Sequence, residues 1–420
     1  MITDEPVPEI DQALDDTLDR SAGDLLALCR QLIMIDSQIP PVANEVAVID
    51  FLRETLTGLG LPSGEVIAER PERPNLVATV PGSAGGPRLL LCGHVDTKPV
   101  GDAGHLWRTD PLGAEIVDGQ LYGLGASDMK SACAAMIFAL HAVREVTGGP
   151  AGDVTLALVA DEEAGARYGA RFLAPLIADR ADACLIGEPS GWERDFQALH
   201  LVSRGLLCFR VDVTGTQMHS SLSDRMPSIN ANVKLARLLA DLADFDGISY
   251  RPHPLGDVRP TLNVGTRVEG GVYYGVVPGS ARFTCDLRAL PGMTEQGVLA
   301  DLNRWLSERK AADPELDAVI TAEPELPWIP PSEIPADHDL VTALRRSAAG
   351  VLGEVPPLGV FPGATDAPWF DLAGLPTVPS FGPGILTCCH GPNERVSVPA
   401  ILQAAKVYAR TIHHFTHPRA

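Results

Sequence analysis

The chain has 420 residues, 45% of them hydrophobic and 21% charged, and a formal net charge of −21. That is the composition of a globular protein long enough for two or three domains. An acidic balance without any polybasic cluster excludes nucleic acid and anionic membrane surfaces as partners, since both need Lys and Arg against phosphate.

The amino terminus, MITDEPVPEIDQ, is acidic and lacks the basic region and apolar stretch of a secretory leader. No apolar run approaches the roughly 20 residues that span a bilayer. From Asp24 to Leu59 apolar residues recur at helical spacing, with a break at SQIPPVANE. NLVATV and RLLLCGH then read as strands, and MKSACAAMIFALHAVREV, from Met129, as a buried helix. DVTLALVADEE, ARFLAPLIAD and ADACLIGEP continue the alternation as strand, helix and strand. This order predicts an α/β domain of three layers on a mainly parallel sheet. Ligands bind such sheets at the carboxyl ends of the strands, where GHVD, VADEE and LIGEP fall.

Past about residue 198 the pattern changes. HLVSRGLLCFRVDVTG alternates like one half-exposed strand, and INANVKLARLLADLADF is an amphipathic helix. TLNVGTRVEGG and ARFTCDLRAL read as strands, followed by the helix TEQGVLADLNRWLSERKA and the strand DAVITAE. The β-α-β-β-α-β order predicts an inserted two-layer α+β domain over residues 199–317, within a discontinuous domain of residues 1–198 and 318–420. The Pro-rich EPELPWIPPSEIP marks the return, and HDLVTALRRSAAGVL, LPTVPSFGPG and VPAILQAAKVYARTIHHF complete the first domain.

The eight cysteines include no C-x-x-C pair. Cys29, Cys92, Cys133, Cys184, Cys208 and Cys285 have apolar neighbours and read as small core residues. Free thiols of this kind point to a reducing cytoplasm rather than a disulfide framework. Cys388 and Cys389 are adjacent, beside His390.

His94 and Asp96 share one face of a strand end, because alternate side chains point the same way. An isolated H-x-D is an ordinary polar strand end. Five places, however, set His, Asp or Glu after an apolar run or a glycine turn: GHVD, GASDMKS, VADEEAG, LIGEPS and CCHGPNE. Imidazole and carboxylate without thiolate suit zinc, with cobalt or manganese as neighbours in chemistry. A two-metal site needs a bridging carboxylate and about two further ligands for each ion. His94, Asp128, Glu163, Glu188 and His390 would supply that number.

These pieces resemble the co-catalytic metallopeptidase and deacylase family of acetylornithine deacetylase, succinyl-diaminopimelate desuccinylase, aminoacylase-1 and glutamate carboxypeptidase. The resemblance runs in order over nearly the whole chain: GHVDTKPV, Trp107 with Asp110 and Pro111, GLGASDMK, ADEEAG, GEPS, MHSS, NVG, DLR, GATDAPWF and the FGPG…H…NE ending. It implies that His94 and Glu188 hold one metal, Glu163 and His390 the other, and that Asp128 bridges them. It further implies that Asp96 orients His94, and that Glu162 is the general acid/base for a water activated between the two ions. His219 of GTQMHSS would complete an oxyanion pocket, in this family commonly from the partner subunit of a dimer formed through the inserted lid. Arg288 and Asn263 match contacts to a substrate carboxylate, and Gly384 a close-approach glycine near the substrate.

The implied reaction is hydrolysis of the amide of an N-acyl amino acid. Glu at position 188 and Arg288 favour this over the alternative, a carboxypeptidase or dipeptidase cutting short peptides with a free carboxylate. A metal-free binding protein of the same fold would have lost ligands, and none is missing. The chain departs from many relatives at Tyr273, Tyr274 and Gly275, where an Asn commonly precedes V-P. Thiols at 388 and 389 could make activity sensitive to oxidation or thiol-seeking metals, although simple packing also accounts for them.

Overall fold

The computed structural model describes residues 9–256 and 258–417, so most of the acidic amino-terminal stretch lies outside the described residues. The chain divides into two units: Met1–Ser203 with Ser332–Phe361 and Thr365–Ala420, and Arg204–Pro331 with Pro362–Ala364.

The first unit is built on a six-stranded sheet. In spatial order its strands are Glu65–Ile67, Asn75–Val80, Val154–Val159, Leu89–His94, Ala183–Ile186 and Thr377–Val378. The last four run parallel, and the first two pairings are antiparallel. Every residue of Leu89–His94 and Val154–Val159 is buried, so both faces of the sheet are covered, as in a parallel sheet between helix layers. Gly93 permits one of those layers to come close: a Cβ there would stand 2.7 Å from Cys133 Sγ and 2.9 Å from Met129 Cε.

The helix expected from Met129 runs over Ser131–Thr147, and Asp128 and Met129 before it are not helical. That departure places Asp128 on a turn rather than inside a helix. A helix at Glu9–Arg20, absent from the sequence expectation, packs on Ser131–Thr147 and on Val398–Thr416. Its signal is faint because only Leu14 and Leu18, one turn apart, bury apolar side chains in an acidic segment.

The stretch read as one strand, HLVSRGLLCFRVDVTG, is two. Leu199–Ser203 pairs within the first unit with Ser332–Glu333 and Leu358–Phe361, and Gly205–Thr214 opens the second unit. Sequence alternation continues through Arg204, so the change of sheet leaves no mark in it.

The second unit is a four-stranded antiparallel sheet ordered Thr261–Gly270, Ser280–Ala289, Gly205–Thr214, Asp317–Ala322. The two inner strands alternate buried and half-buried residues, so one face meets the helices Ala231–Ala243 and Glu295–Ala312. Phe209, Phe283 and Trp305 are fully buried in the core so formed. The strand Asp317–Ala322 closes this sheet, and the chain returns at Ser332, later than the expected 318. Among the described residues no helix is long and apolar enough to cross a membrane.

Candidate metal centre

Three strand ends and two turns of the first unit bring the sequence candidates together. His94 ends Leu89–His94, Glu162 and Glu163 follow Val154–Val159, and Glu188 follows Ala183–Ile186. The parallel register aligns His94 with Val159, so these side chains emerge at one level. Asp128 lies on the turn after Gly125, and His390 follows the turn Leu386–Cys388.

Asp128 stands between two imidazoles. Its Oδ1 is 2.9 Å from His94 Nε2, and its Oδ2 is 3.1 Å from His390 Nε2. Glu188 Oε1 lies 3.6 Å from His94 Nε2, while Glu163 Oε2 lies 3.0 Å from His390 Nε2. Two donor sets result, one around His94 with Glu188 and one around His390 with Glu163, sharing Asp128. Ligand atoms of His94, Asp128 and Glu163, and of His94, Glu162 and Glu188, lie within 4.8 Å of one another.

The electrostatics call for cations. His94 Nδ1–H donates to the Asp96 carbonyl at 3.0 Å, so in the neutral ring Nε2 turns its lone pair toward two carboxylates. Burial acts against the imidazolium of His94, yet its hydrogen bond to Asp128 and the Glu188 charge raise its pKa well above the ordinary value. His390, likewise opposed by burial, is lifted to about 10 by Asp128 and Glu163. Burial pushes Glu162 up to about 8, with Glu163 and Asp366 adding and His94 opposing. Glu188 rises for the same reason, burial first and then the charge of Asp128. So many buried carboxylates share this space only if protons or cations neutralise them. The oxygen and imidazole donors fit two divalent ions.

Asp96 meets His94 through its backbone carbonyl, and its carboxylate also serves the neighbouring turn. Its Oδ1 is 3.6 Å from His94 Nδ1, whose partner is the backbone carbonyl. The two carboxylate oxygens instead accept the Glu162 and Glu163 N–H groups, at 3.2 and 3.0 Å. Asp96 thereby fixes the turn carrying both glutamates.

Sequence reasoning missed the residues that hold this site. Buried Glu394 accepts the N–H groups of Gly125, Ser127 and Asp128, at 3.1, 2.9 and 3.0 Å. Arg73 joins Glu45 to Asp161 at 2.7 and 2.8 Å, and Asn75 accepts the Ala160 N–H at 3.0 Å. Lys98, which follows GHVDT without evident purpose in the sequence, lies 3.2 Å from the Glu163 carboxylate. The signal for Glu394 was its place four residues after His390, in the NE ending.

His219, Asn263 and Arg288 belong to the second unit. His219 is exposed, and its Nδ1 accepts from the Ser221 N–H and Oγ, at 3.2 and 2.8 Å. Its neutral ring therefore carries the proton on Nε2. Asn263 Nδ2 donates to Asp286 Oδ1 at 2.9 Å, and Arg288 Nε lies 3.4 Å from the same oxygen. Arg204, not singled out from the sequence, keeps a buried Nε without a partner, and burial together with the Arg288 charge lowers its pKa. Gly384, in the first unit, donates its N–H to Asp195 Oδ1 at 2.9 Å, and a Cβ on it would meet Ser127 Oγ at 2.0 Å.

A sequence profile described as peptidase family M20/M25/M40 matches residues 90–414. The chain is 32% identical to a succinyl-diaminopimelate desuccinylase of Rhodospirillum centenum over 405 residues, covering 93% of this chain and 97% of that protein. It is 31% identical to an acetylornithine deacetylase of Proteus mirabilis over 379 residues, with 89% and 90% covered. Among solved structures it resembles human carnosine dipeptidase 1, with a TM-score of 0.76 at 19% identity, covering 98% of this chain and 100% of that one. An M20 metallo-carboxypeptidase of Sulfolobus solfataricus gives 0.74 at 21%, covering 94% and 99%.

Proposed function

The chain belongs to peptidase family M20/M25/M40, and on that premise we propose that it is a metal-dependent hydrolase of the amide bond of an N-acyl amino acid. The desuccinylase and deacetylase relatives support the substrate class. The observation that carries the reading is Asp128, which offers one carboxylate oxygen to His94 and the other to His390.

His94 and Glu188 would hold one divalent ion, Glu163 and His390 the second, with Asp128 shared; zinc suits these donors best. When bound, such ions lower the pKa of water and polarise a carbonyl. Glu162 then takes the proton of the attacking water and delivers it to the departing nitrogen. Glu163, on the same turn, stays a ligand because Lys98 and His390 face it. His219 donates through Nε2–H to the carbonyl oxygen as charge gathers there. Arg288, beside Arg204 and with Asn263, binds the free carboxylate of the substrate. Gly384 lines the substrate side of the site.

The setting we assign is the cytoplasm, in keeping with eight free cysteines. The assembly is a homodimer through the second unit, whose edge strand Thr261–Gly270 and exposed Val272, Tyr273 and Tyr274 are suited to pairing. Light scattering giving the mass of one chain would refute the dimer.

The deciding experiment combines metal analysis with hydrolysis of acetyl-, succinyl- and formyl-amino acids and a dipeptide set. Acyl amino acids are expected to turn over fastest; faster dipeptide cleavage would favour a peptidase. Glu162→Gln should keep its metal yet lose about 100- to 10,000-fold in turnover. Near-normal turnover in that variant would assign the base elsewhere.

A further inference from the structure

The turn Leu386–Cys388 sets two thiols side by side just before His390. Neighbouring side chains of an extended strand point to opposite faces. Here both sulfurs lie against one oxygen: the Ile385 carbonyl accepts from Cys388 Sγ at 3.1 Å and from Cys389 Sγ at 3.5 Å. Both are free and half-buried, whereas Cys29, Cys92, Cys133, Cys184 and Cys285 are buried; Cys208, also half-buried, lies alone in the second unit. The proposed hydrolysis uses neither sulfur, because all its ligands are nitrogen and oxygen.

We propose that Cys388 and Cys389 form a chelating site for a thiophilic trivalent arsenic centre. Soft thiolates select such centres over the harder ions suited to carboxylates. With an organoarsenic oxide, R–As=O, both S–H bonds break and two As–S bonds form. The oxide oxygen takes both protons and leaves as water. Arsenic and sulfur keep their oxidation states, so no oxidant or reductant takes part.

The site is coupled to the metal centre through the backbone. Cys389 is bonded to His390, whose Nε2 lies 3.1 Å from Asp128 and 3.0 Å from Glu163. Cys388 Sγ also donates to the Arg395 carbonyl at 3.3 Å, one residue past Glu394. Closing a ring over both sulfurs breaks these contacts and draws His390 away from its partners. The capture stands independently of what the enzyme hydrolyses; the effect on His390 rests on the reading above.

The test treats the full-length, metal-loaded protein with one equivalent of phenylarsine oxide and follows intact mass, peptide mapping and bound metal. One phenylarsenic group is expected on the peptide holding 388 and 389, removable by 2,3-dimercaptopropanol and retained against a monothiol. Cys388→Ser and Cys389→Ser should each weaken retention by about 100-fold, because the second sulfur binds intramolecularly in the native pair. No mass gain, label on a peptide carrying Cys92 or Cys184, or undiminished retention in both variants would overturn the site. Loss of a metal equivalent on labelling is expected; labelled protein with its full metal content would overturn the coupling to His390. Untreated enzyme that binds metal but cleaves no amide would instead contradict the hydrolase reading, and the mapping result would be unaffected.

Discussion

Glu394 holds Asp128 in place without touching either imidazole. Three consecutive-turn N–H groups converge on its buried carboxylate, and burial with the nearby Asp128 charge pushes its pKa up to about 8. Replacing it with alanine leaves three donors unmatched and frees the turn. Glu394→Ala is therefore expected to lose about 10- to 100-fold in metal affinity, as groups that orient ligands generally do. Titrating the metal-free variant against a competing chelator checks this, and unchanged affinity would show that other contacts hold the turn. His200 offers a second case. It is buried with only Nδ1 engaged, 3.1 Å from Ser380 Oγ, and burial drops its pKa from 6.5 to about 3. Between those values the unfolded chain binds a proton that the folded chain refuses, so stability falls as pH drops below 6.5. The slope from this residue is roughly 1.4 kcal/mol per pH unit, ending near the folded pKa. Denaturant melts from pH 7 to 4 should flatten in His200→Asn relative to the native chain; identical slopes would remove His200 from the acid response.

At the scale of elements, close approach decides more than hydrogen bonding does. The strand Gly382–Ile385 crosses the Asp128 turn so tightly that Gly384, at φ +107°, has no room for a side chain. Gly384→Ala should cost about 1–3 kcal/mol through overpacking and left-handed strain. Because the nearest atom is Ser127 Oγ at 2.0 Å and the Ser127 Cβ is 3.1 Å away, adding Ser127→Ala should recover part of that loss. Thermal melts of the two single variants and the double variant give the coupling; strict additivity would place the strain elsewhere. The sequence made the strands legible because apolar runs such as LLLC and VTLALV have little alternative to burial. It also exposed His94, Asp128, Glu163, Glu188 and His390, since each ends a run or a turn. It hid the Glu9–Arg20 helix, whose apolar stripe is two leucines wide, and the switch of sheets at Arg204. Glu394, Arg73 and Asn75 stayed hidden for another reason: their partners are backbone groups and side chains distant in sequence, and no local pattern encodes them.

For the whole molecule, the proposed ligands are confined to one unit while each unit has its own core. His94, Asp128, Glu163, Glu188 and His390 all lie in the first, whereas the second closes around Phe209, Phe283 and Trp305. Divalent ions that bind only the folded chain stabilise it by mass action, by about 2.7 kcal/mol when free metal is 100 times the dissociation constant. Part of that affinity comes from the buried carboxylates that otherwise face one another across His94 and His390. Chelation should therefore lower the melting temperature, and zinc should restore it. Hydrogen exchange localises the response. Protection should fall around residues 94–96, 125–128, 160–163, 188–190 and 388–394, the turns that the ligands tie together. Amides of Gly205–Thr214 and Ser280–Ala289, whose pairing depends on the second core alone, should keep their protection. Uniform loss across both units would mean that the metals support the entire chain as one cooperative body, and no response in either would remove the ions from the folded state's stability altogether.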